Sequence, residues 1–239
     1  MTAKPELHAP FTTLEPTFLT LCVYTEFAPF VYEAAGRIVG TDIAILSRFA
    51  EQHQLDLKIS KQAHFDQLWH TPGRGDCDIA AAGIAMLPER DLGETGCWSI
   101  PYLTVQRSLL IRRQDVERLQ TPADFAGKKI VVTPASTAHV DALARYEPLG
   151  ATIIPHVLSQ QAVVRQLLTG EVDAFGEGDV SNRYLADHAL DEEGQPLLVL
   201  TDLHTMTQPE ELRFAVRAYD PRLVACLNDF IGKVANGYG

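Results

Sequence analysis

The sequence predicts an α/β protein folded as two lobes, with a central cleft and two hinge crossings. Three observations carry this prediction. Residues 19–84 alternate short apolar strands with a helix, the rhythm of a mainly parallel sheet covered by helices. A similar rhythm starts again after Arg113. The last stretch, a strand at Leu212–Val216 and a helix at Pro221–Val234, has no partner nearby in sequence. A strand and helix that fold back on the first lobe account for it. Ligands of open α/β sheets bind outside the carboxyl ends of the strands, so two such lobes facing each other enclose a cleft. Hinge closure is the expected motion.

The elements follow in order. Leu19–Tyr24 reads as a buried strand. Asp42 is expected to cap a helix running to about His53, with Ile43, Leu46, Phe49 and Ala50 at helical spacing. Leu55–Ile59 and Asp78–Gly83 are strands. In the second half, Gln120 to Lys129 reads as a helical turn leading into strand Ile130–Val132. A helix from Thr137 to Tyr146 and a strand near Ile153–Ile154 follow. Ser159 caps a helix whose inner face is Val163, Val164, Leu167 and Leu168, and Gly170 ends it. Asp173–Phe175 is a short strand, Asp179 begins a helix, and Leu197–Leu200 is a strand. The crossings fall near Val105–Arg112 and Asp202–Leu212. This gives lobe 1 as 18–106 plus 207–239, lobe 2 as 107–206, and 1–17 as an N-terminal extension.

Composition narrows the function. The chain is 46% hydrophobic and 21% charged, an ordinary globular balance with ample material for a core. Its net charge of −11 argues against nucleic acid, whose affinity comes mainly from neutralising phosphates. No apolar run reaches the length of a membrane span. Met1 to Pro16 lacks the basic start and apolar middle of a signal peptide. A periplasmic mature form, or alternatively a cytoplasmic protein, is expected. The four cysteines lack C-x-x-C spacing, and the histidines lack metal spacing, so neither metal nor cofactor is expected. Four free thiols are the expectation, with Cys77 and Cys97 the pair placed to bond, since they flank one segment.

That segment carries the candidate chemistry. An apolar strand runs from Asp78 into Gly83, a turn follows, and then comes Arg90. A strand end with one fixed guanidinium is a way to hold a carboxylate, because Arg stays charged and its planar fork bonds two oxygens at once.

The order and spacing of several motifs resemble those of the type II periplasmic amino-acid-binding proteins, solute-binding proteins of ABC transporters, over roughly Leu19 to Val234. Asp78-Ile-Ala-Ala-Ala-Gly83 with Arg90, then Trp98-Ser-Ile-Pro-Tyr102, is similar to that family's D-x-A-x-x-G-x-x-x-T-x-x-R and F-S-x-P-Y. Gly36-Arg-Ile-Val-Gly40-Thr-Asp42 resembles its lead-in to the first helix. Thr121-Pro-Ala-Asp124-Phe-Ala-Gly127-Lys-Lys resembles S-x-x-D-L-x-G-K-x, and Gly170-Glu-Val-Asp173-Ala resembles G-x-x-D-A. The resemblance implies aromatic walls at Phe27 and Phe65, the Gly83 carbonyl for a ligand ammonium, and Arg90 for its carboxylate. It also implies further carboxylate donors at the Thr137-Ala138 loop, where a helix N-terminus favours an anion. The expected ligand is a small amino acid or related carboxylate, and an ABC-transporter permease is the implied partner.

Three positions depart from the family wording. Ala85 stands where a Ser or Thr binds the ammonium, Tyr24 stands where several relatives carry an Asp, and Gly178 stands where the ammonium-binding Asp belongs. Glu177 or Asp179 is left to supply that acid. The cyclohexadienyl dehydratases, an enzymatic branch of that resemblance, use a Glu at the position of Ser181; that chemistry lacks its acid here unless Glu177 substitutes, and dehydratase-like activity is the second reading. A ligand-sensing domain of a larger signalling protein is the third.

Overall fold

The structure, a computed structural model, describes residues 9–156, 159–201 and 208–237. Lobe 1 opens with β1 (Phe18–Val23), then a small meander of β2 (Glu26–Phe27), β3 (Val31–Ala34) and β4 (Arg37–Val39). It continues with α1 (Thr41–Gln52), β5 (Asp56–Lys61), a short α2 (Thr71–Arg74), β6 (Ile79–Ala81), β7 (Gly96–Trp98) and β8 (Leu103–Val105). The second lobe holds β9 (Arg107–Arg112), β10 (Lys129–Val132), α3 (Thr137–Arg145), β11 (Thr152–Pro155), α4 (Gln160–Thr169), β12 (Ala174–Gly178), α5 (Asp179–His188) and β13 (Leu198–Leu200). The chain then returns through β14 (Glu210–Leu212) and β15 (Ala215–Arg217) to α6 (Pro221–Gly237).

Each lobe has a five-stranded sheet, ordered β5-β1-β6-β15-β7 in one and β11-β10-β12-β9-β13 in the other. The first three strands of each order run parallel. The returning β15 adds antiparallel beside β6, with Ala215 opposite Ala80, and β9 adds antiparallel beside β12. The crossings lie side by side as a two-stranded ribbon, Glu210 opposite Val105 and Leu212 opposite Leu103. Arg107–Arg112 is thus a core strand of lobe 2 rather than part of a crossing, as its buried Leu109, Leu110 and Ile111 require. The expected second crossing begins at Asp202, and 202–207 lie outside the described residues.

Lobe 1 packs one core around Leu19, Leu21, Phe49, Ile79 and Phe214. Lobe 2 packs one core on each face of its sheet, around Phe125 and Tyr146 on one side and Val163 and Leu167 on the other. The helix faces follow the sequence periodicity, except that Leu168 is exposed. Residues 9–17 pack against lobe 1. Phe11 stacks on Phe49 at 5.6 Å, the Thr12 amide donates to Asp220 at 2.8 Å, and the Leu14 amide donates to Asp78 at 2.9 Å. Met1 to His8 lie outside the described residues. Asp78 is fully buried and also accepts from Thr20 and from the Arg217 guanidinium, which satisfies its charge.

Two local expectations are corrected. Cys22, in β1, is disulfide-bonded to Cys77, just before the neighbouring parallel strand β6. Cys97 and Cys226 are the free thiols, so Cys97 is not the partner of Cys77. Asp42 does not cap α1. The N-cap is Gly40, and the Asp42 carboxylate turns inward to accept the Gly83 amide at 2.9 Å. A Cβ on Gly40 would lie 2.1 Å from the Phe30 carbonyl oxygen, so only glycine fits there.

Burial without a compensating cation pushes the Asp42 carboxyl up to about 6. The unfolded chain has an ordinary carboxylate value near 3.9. Between the two values the folded protein holds the extra proton, so its stability falls as pH rises from about 4 to about 6. Asp42→Asn keeps an acceptor for Gly83 and removes the titration. Relative to the parent, this variant should gain up to about 3 kcal/mol across that window. Urea unfolding at both ends of the window reads the difference, and a constant difference would contradict the assignment.

Candidate functional site

The strand ends of both lobes converge on one small cavity. Its wall comprises Phe27, Phe30, Phe65, Gly83, Ala85 and Arg90 from lobe 1, with Ser136, Thr137, Glu177 and Gly178 from lobe 2. Val105, Arg107 and Leu212, on or beside the crossing ribbon, complete it. Gly83 follows the end of β6 at φ 58, and a Cβ there would lie 2.7 Å from the Phe30 ring and 3.2 Å from that of Phe27. A glycine is therefore what lets the strand end meet the aromatic wall. Phe27 and Phe65 stack at 5.2 Å with their planes 4° apart.

Arg90 is buried, with 5% of its surface exposed. Its Nη1 donates to the Ala85 carbonyl at 2.7 Å, and its Nη2 reaches across the cleft to the Ala135 carbonyl at 2.8 Å. The guanidinium lies 4.3 Å from the Trp69 ring centre and 5.6 Å from that of Phe65, a cation–π seat that fixes its plane. Burial lowers its pKa to about 10, so it remains a cation at neutral pH.

The two candidate acids, Glu177 and Asp179, are placed differently. Glu177 is buried at 2% exposure, and its Oε1 accepts from the Gly178 amide at 3.0 Å and from Arg107 Nη1 at 3.2 Å. Arg107 also pairs through Nε with Glu210 at 3.1 Å. Desolvation raises the Glu177 pKa, and Arg107 opposes that rise. Asp179, in contrast, accepts the Gln106 amide at 2.9 Å and does not line the cavity. Asp179 opens α5, and its carboxylate is engaged by the crossing at Gln106.

The remaining candidates divide in the same way. Ala85 lines the cavity and offers its carbonyl to Arg90. Thr137 lines it as the first residue of α3, while Ser136 is the N-cap, accepting from the His139 amide. Ala138 packs into the lobe 2 core instead. Tyr24 is buried beside Phe65, 6.0 Å between rings, and lines a neighbouring hollow with His64, Gln67 and Thr133. Sequence reasoning did not find Arg107, Glu210, Trp69 or Ala135. Arg107 and Glu210 carry no motif, and their pairing depends on two segments about a hundred residues apart.

Further contacts join the lobes beside the cavity. The Ala28 amide donates to Gln160 Oε1 at 2.8 Å, and the Ser181 hydroxyl donates to the Ala28 carbonyl at 2.6 Å. Tyr32 meets Tyr184 at 5.5 Å between rings.

The model of the bacterial extracellular solute-binding proteins, family 3, matches residues 19–237 of this chain. The chain belongs to that family. Among the proteins it resembles is the amino-acid-binding protein AabA of Dichelobacter nodosus, 28% identical over 207 residues that cover 86% of this chain and 78% of the relative. The fold is that of the substrate-binding protein AbpA of an amino-acid ABC transporter from Streptococcus pneumoniae, solved bound to L-arginine. That structure has a TM-score of 0.77 and 22% identity, covering 92% of this chain and 90% of that one. The ancestral amino-acid-binding protein AncCDT-1, a precursor of cyclohexadienyl dehydratase, superposes with a TM-score of 0.79 at 21% identity, with the same coverage. As a family 3 protein, this chain is a two-lobed solute-binding protein of the type II fold.

Proposed function

We propose that this solute-binding protein captures a small amino acid or related carboxylate between its lobes and delivers it to an ABC-transporter permease. One observation carries the reading: the buried Arg90 fork bonds a carbonyl on each lobe across the cleft. A ligand carboxylate is the stronger acceptor, because it carries a full negative charge and takes two parallel bonds from the guanidinium fork, where each carbonyl takes one. The α3 amides beyond Ser136 add donors. The Phe27–Phe65 stack forms the wall for the side chain, and Glu177 takes the ammonium.

The cavity measures only about 10 Å³, room for about one water. The ligand therefore enters when the lobes part, which breaks the Arg90–Ala135 bond and the contacts to Ala28. It then favours closure by binding both lobes at once. The ribbon of β8 and β14 is the hinge in this reading, with lobe 1 as 18–106 plus 207–239 and lobe 2 as 107–206.

The Cys22–Cys77 bond supports a periplasmic location over a cytoplasmic one, since such bonds persist in oxidising compartments. Turnover is the weaker reading. Ser181, at the position of the dehydratase acid, is buried with its hydroxyl committed to the Ala28 carbonyl.

A thermal-shift screen of amino acids and small carboxylates tests the proposal. A ligand at a hundred times its Kd adds about 2.7 kcal/mol, which in a chain of this size raises Tm by roughly 5–10 °C. A folded sample that responds to none of them refutes it.

A further inference from the structure

The cavity contains an arrangement that the capture of a carboxylate does not by itself require. Arg107 pairs with Glu177 at 3.2 Å and with Glu210 at 3.1 Å, joining β9, β12 and the hinge strand β14. The space that seats it comes from Gly178. A Cβ there would lie 3.1 Å from Arg107 Nη2 and 3.6 Å from Val105. A side chain at 178 would therefore press on the guanidinium and shift it by a few tenths of an ångström. One oxygen of each carboxylate is used in these pairs. Glu177 Oε2, Glu210 Oε2 and Arg107 Nε are buried with no hydrogen-bond partner among the described residues, the Nε meeting Glu210 Oε1 as an ion pair. Buried acceptors of this kind call for a donor.

The charges at the cavity balance. Arg90, Arg107 and Glu177 line the cavity and Glu210 lies behind Arg107; Arg90 feels both carboxylates and Arg107, with the exposed Glu89 adding the smallest effect. A zwitterion keeps that balance, its carboxylate on Arg90 and its ammonium on the free oxygen of Glu177. A further charge on the ligand's side chain would be buried with no partner, which is strongly unfavourable. The rest of the wall is Phe27, Phe30, Phe65, Val105 and Leu212, which suits a hydrocarbon.

We propose that the Arg107–Glu177–Glu210 group makes this cleft selective for α-amino acids with small, uncharged, apolar side chains. The proposal rests on the amino-acid reading above. Arg107 and Glu210 are the specificity-determining residues. Arg107 cancels one of the two carboxylates, so a basic ligand finds no free negative charge. Glu210 cancels Arg107, so an acidic ligand finds no free positive one. An acid without the amine leaves Glu177 Oε2 unsatisfied and is rejected on that ground.

The test is titration calorimetry of the full chain with L-alanine, L-valine, L-leucine, L-arginine, L-glutamate and the 2-oxo acid corresponding to leucine. At least one neutral amino acid is expected to bind tenfold or more tightly than L-arginine, L-glutamate and the 2-oxo acid. If L-arginine, L-glutamate or the 2-oxo acid binds as tightly as the best neutral amino acid, the selectivity proposal is overturned while the capture reading stands. If nothing in the set binds, the selectivity proposal falls, and the thermal-shift screen decides the capture reading. In Arg107→Gln the ratio of L-arginine to L-leucine affinity should rise at least tenfold. In Glu210→Gln the ratio of L-glutamate to L-leucine affinity should rise likewise. Folding of both variants is checked by circular dichroism. Unchanged ratios in folded variants overturn the roles given to these residues.

Discussion

Arg90→Ala is expected to lose about 1.5–3 kcal/mol of ligand binding, roughly a tenfold to 150-fold rise in Kd. The guanidinium sits in a buried seat against Trp69, where water cannot take over its hydrogen bonds. Its removal leaves Arg107, Glu177 and Glu210 with a net negative charge beside the carboxylate site, so the loss lies toward the upper end. Arg90→Lys separates the two contributions. Lysine keeps the charge but not the planar fork, so an intermediate affinity is expected. The fold should persist, because each core closes without this side chain. Some melting temperature is still lost, since the Ala85 and Ala135 carbonyls give up a donor. Calorimetric affinity beside a circular-dichroism melt reads both effects. Unchanged affinity in a folded variant rejects Arg90 as the anchor.

Removing the Cys22–Cys77 bond is expected to cost about 4 kcal/mol, the chain entropy regained when a loop of 55 residues is opened. That loop holds α1 and β5, so the unfolded state freed by the change is large. The Cys22→Ala/Cys77→Ala protein should unfold at clearly lower urea, with an m-value similar to or larger than the parent's. Thiol titration of the denatured parent supplies the chemical check. Two thiols should react without reductant and four with it. Four reactive thiols before reduction would show that the pairing does not form.

The strand and helix order was legible because each segment carries its own signal. β1 and β6 are apolar runs, α1 repeats its apolar residues at helical spacing, and Gly170 stops α4 at φ 77. Gly83 and Arg90 were legible for a related reason, since both belong to one strand end and the turn after it. Asp42 shows the limit of such reasoning. It sits where a cap belongs, yet the close approach of β6 gives its carboxylate a different donor, the Gly83 amide. Cys22 shows the same limit, because nothing within 55 residues of chain says that β1 and β6 will lie side by side.

What the sequence determined alone was therefore local: the rhythm of elements, the two halves, and an arginine placed after a buried strand end. The partners of that arginine were decided by the fold, which brought Trp69 beneath it and Ala135 across from it. The same holds for Arg107, which finds Glu177 and Glu210 only after three strands from distant parts of the chain have converged. Hydrophobic periodicity constrains each residue against its near neighbours. Charge pairing inside a closed cleft depends on distances that exist only once both sheets and the ribbon between them are in place.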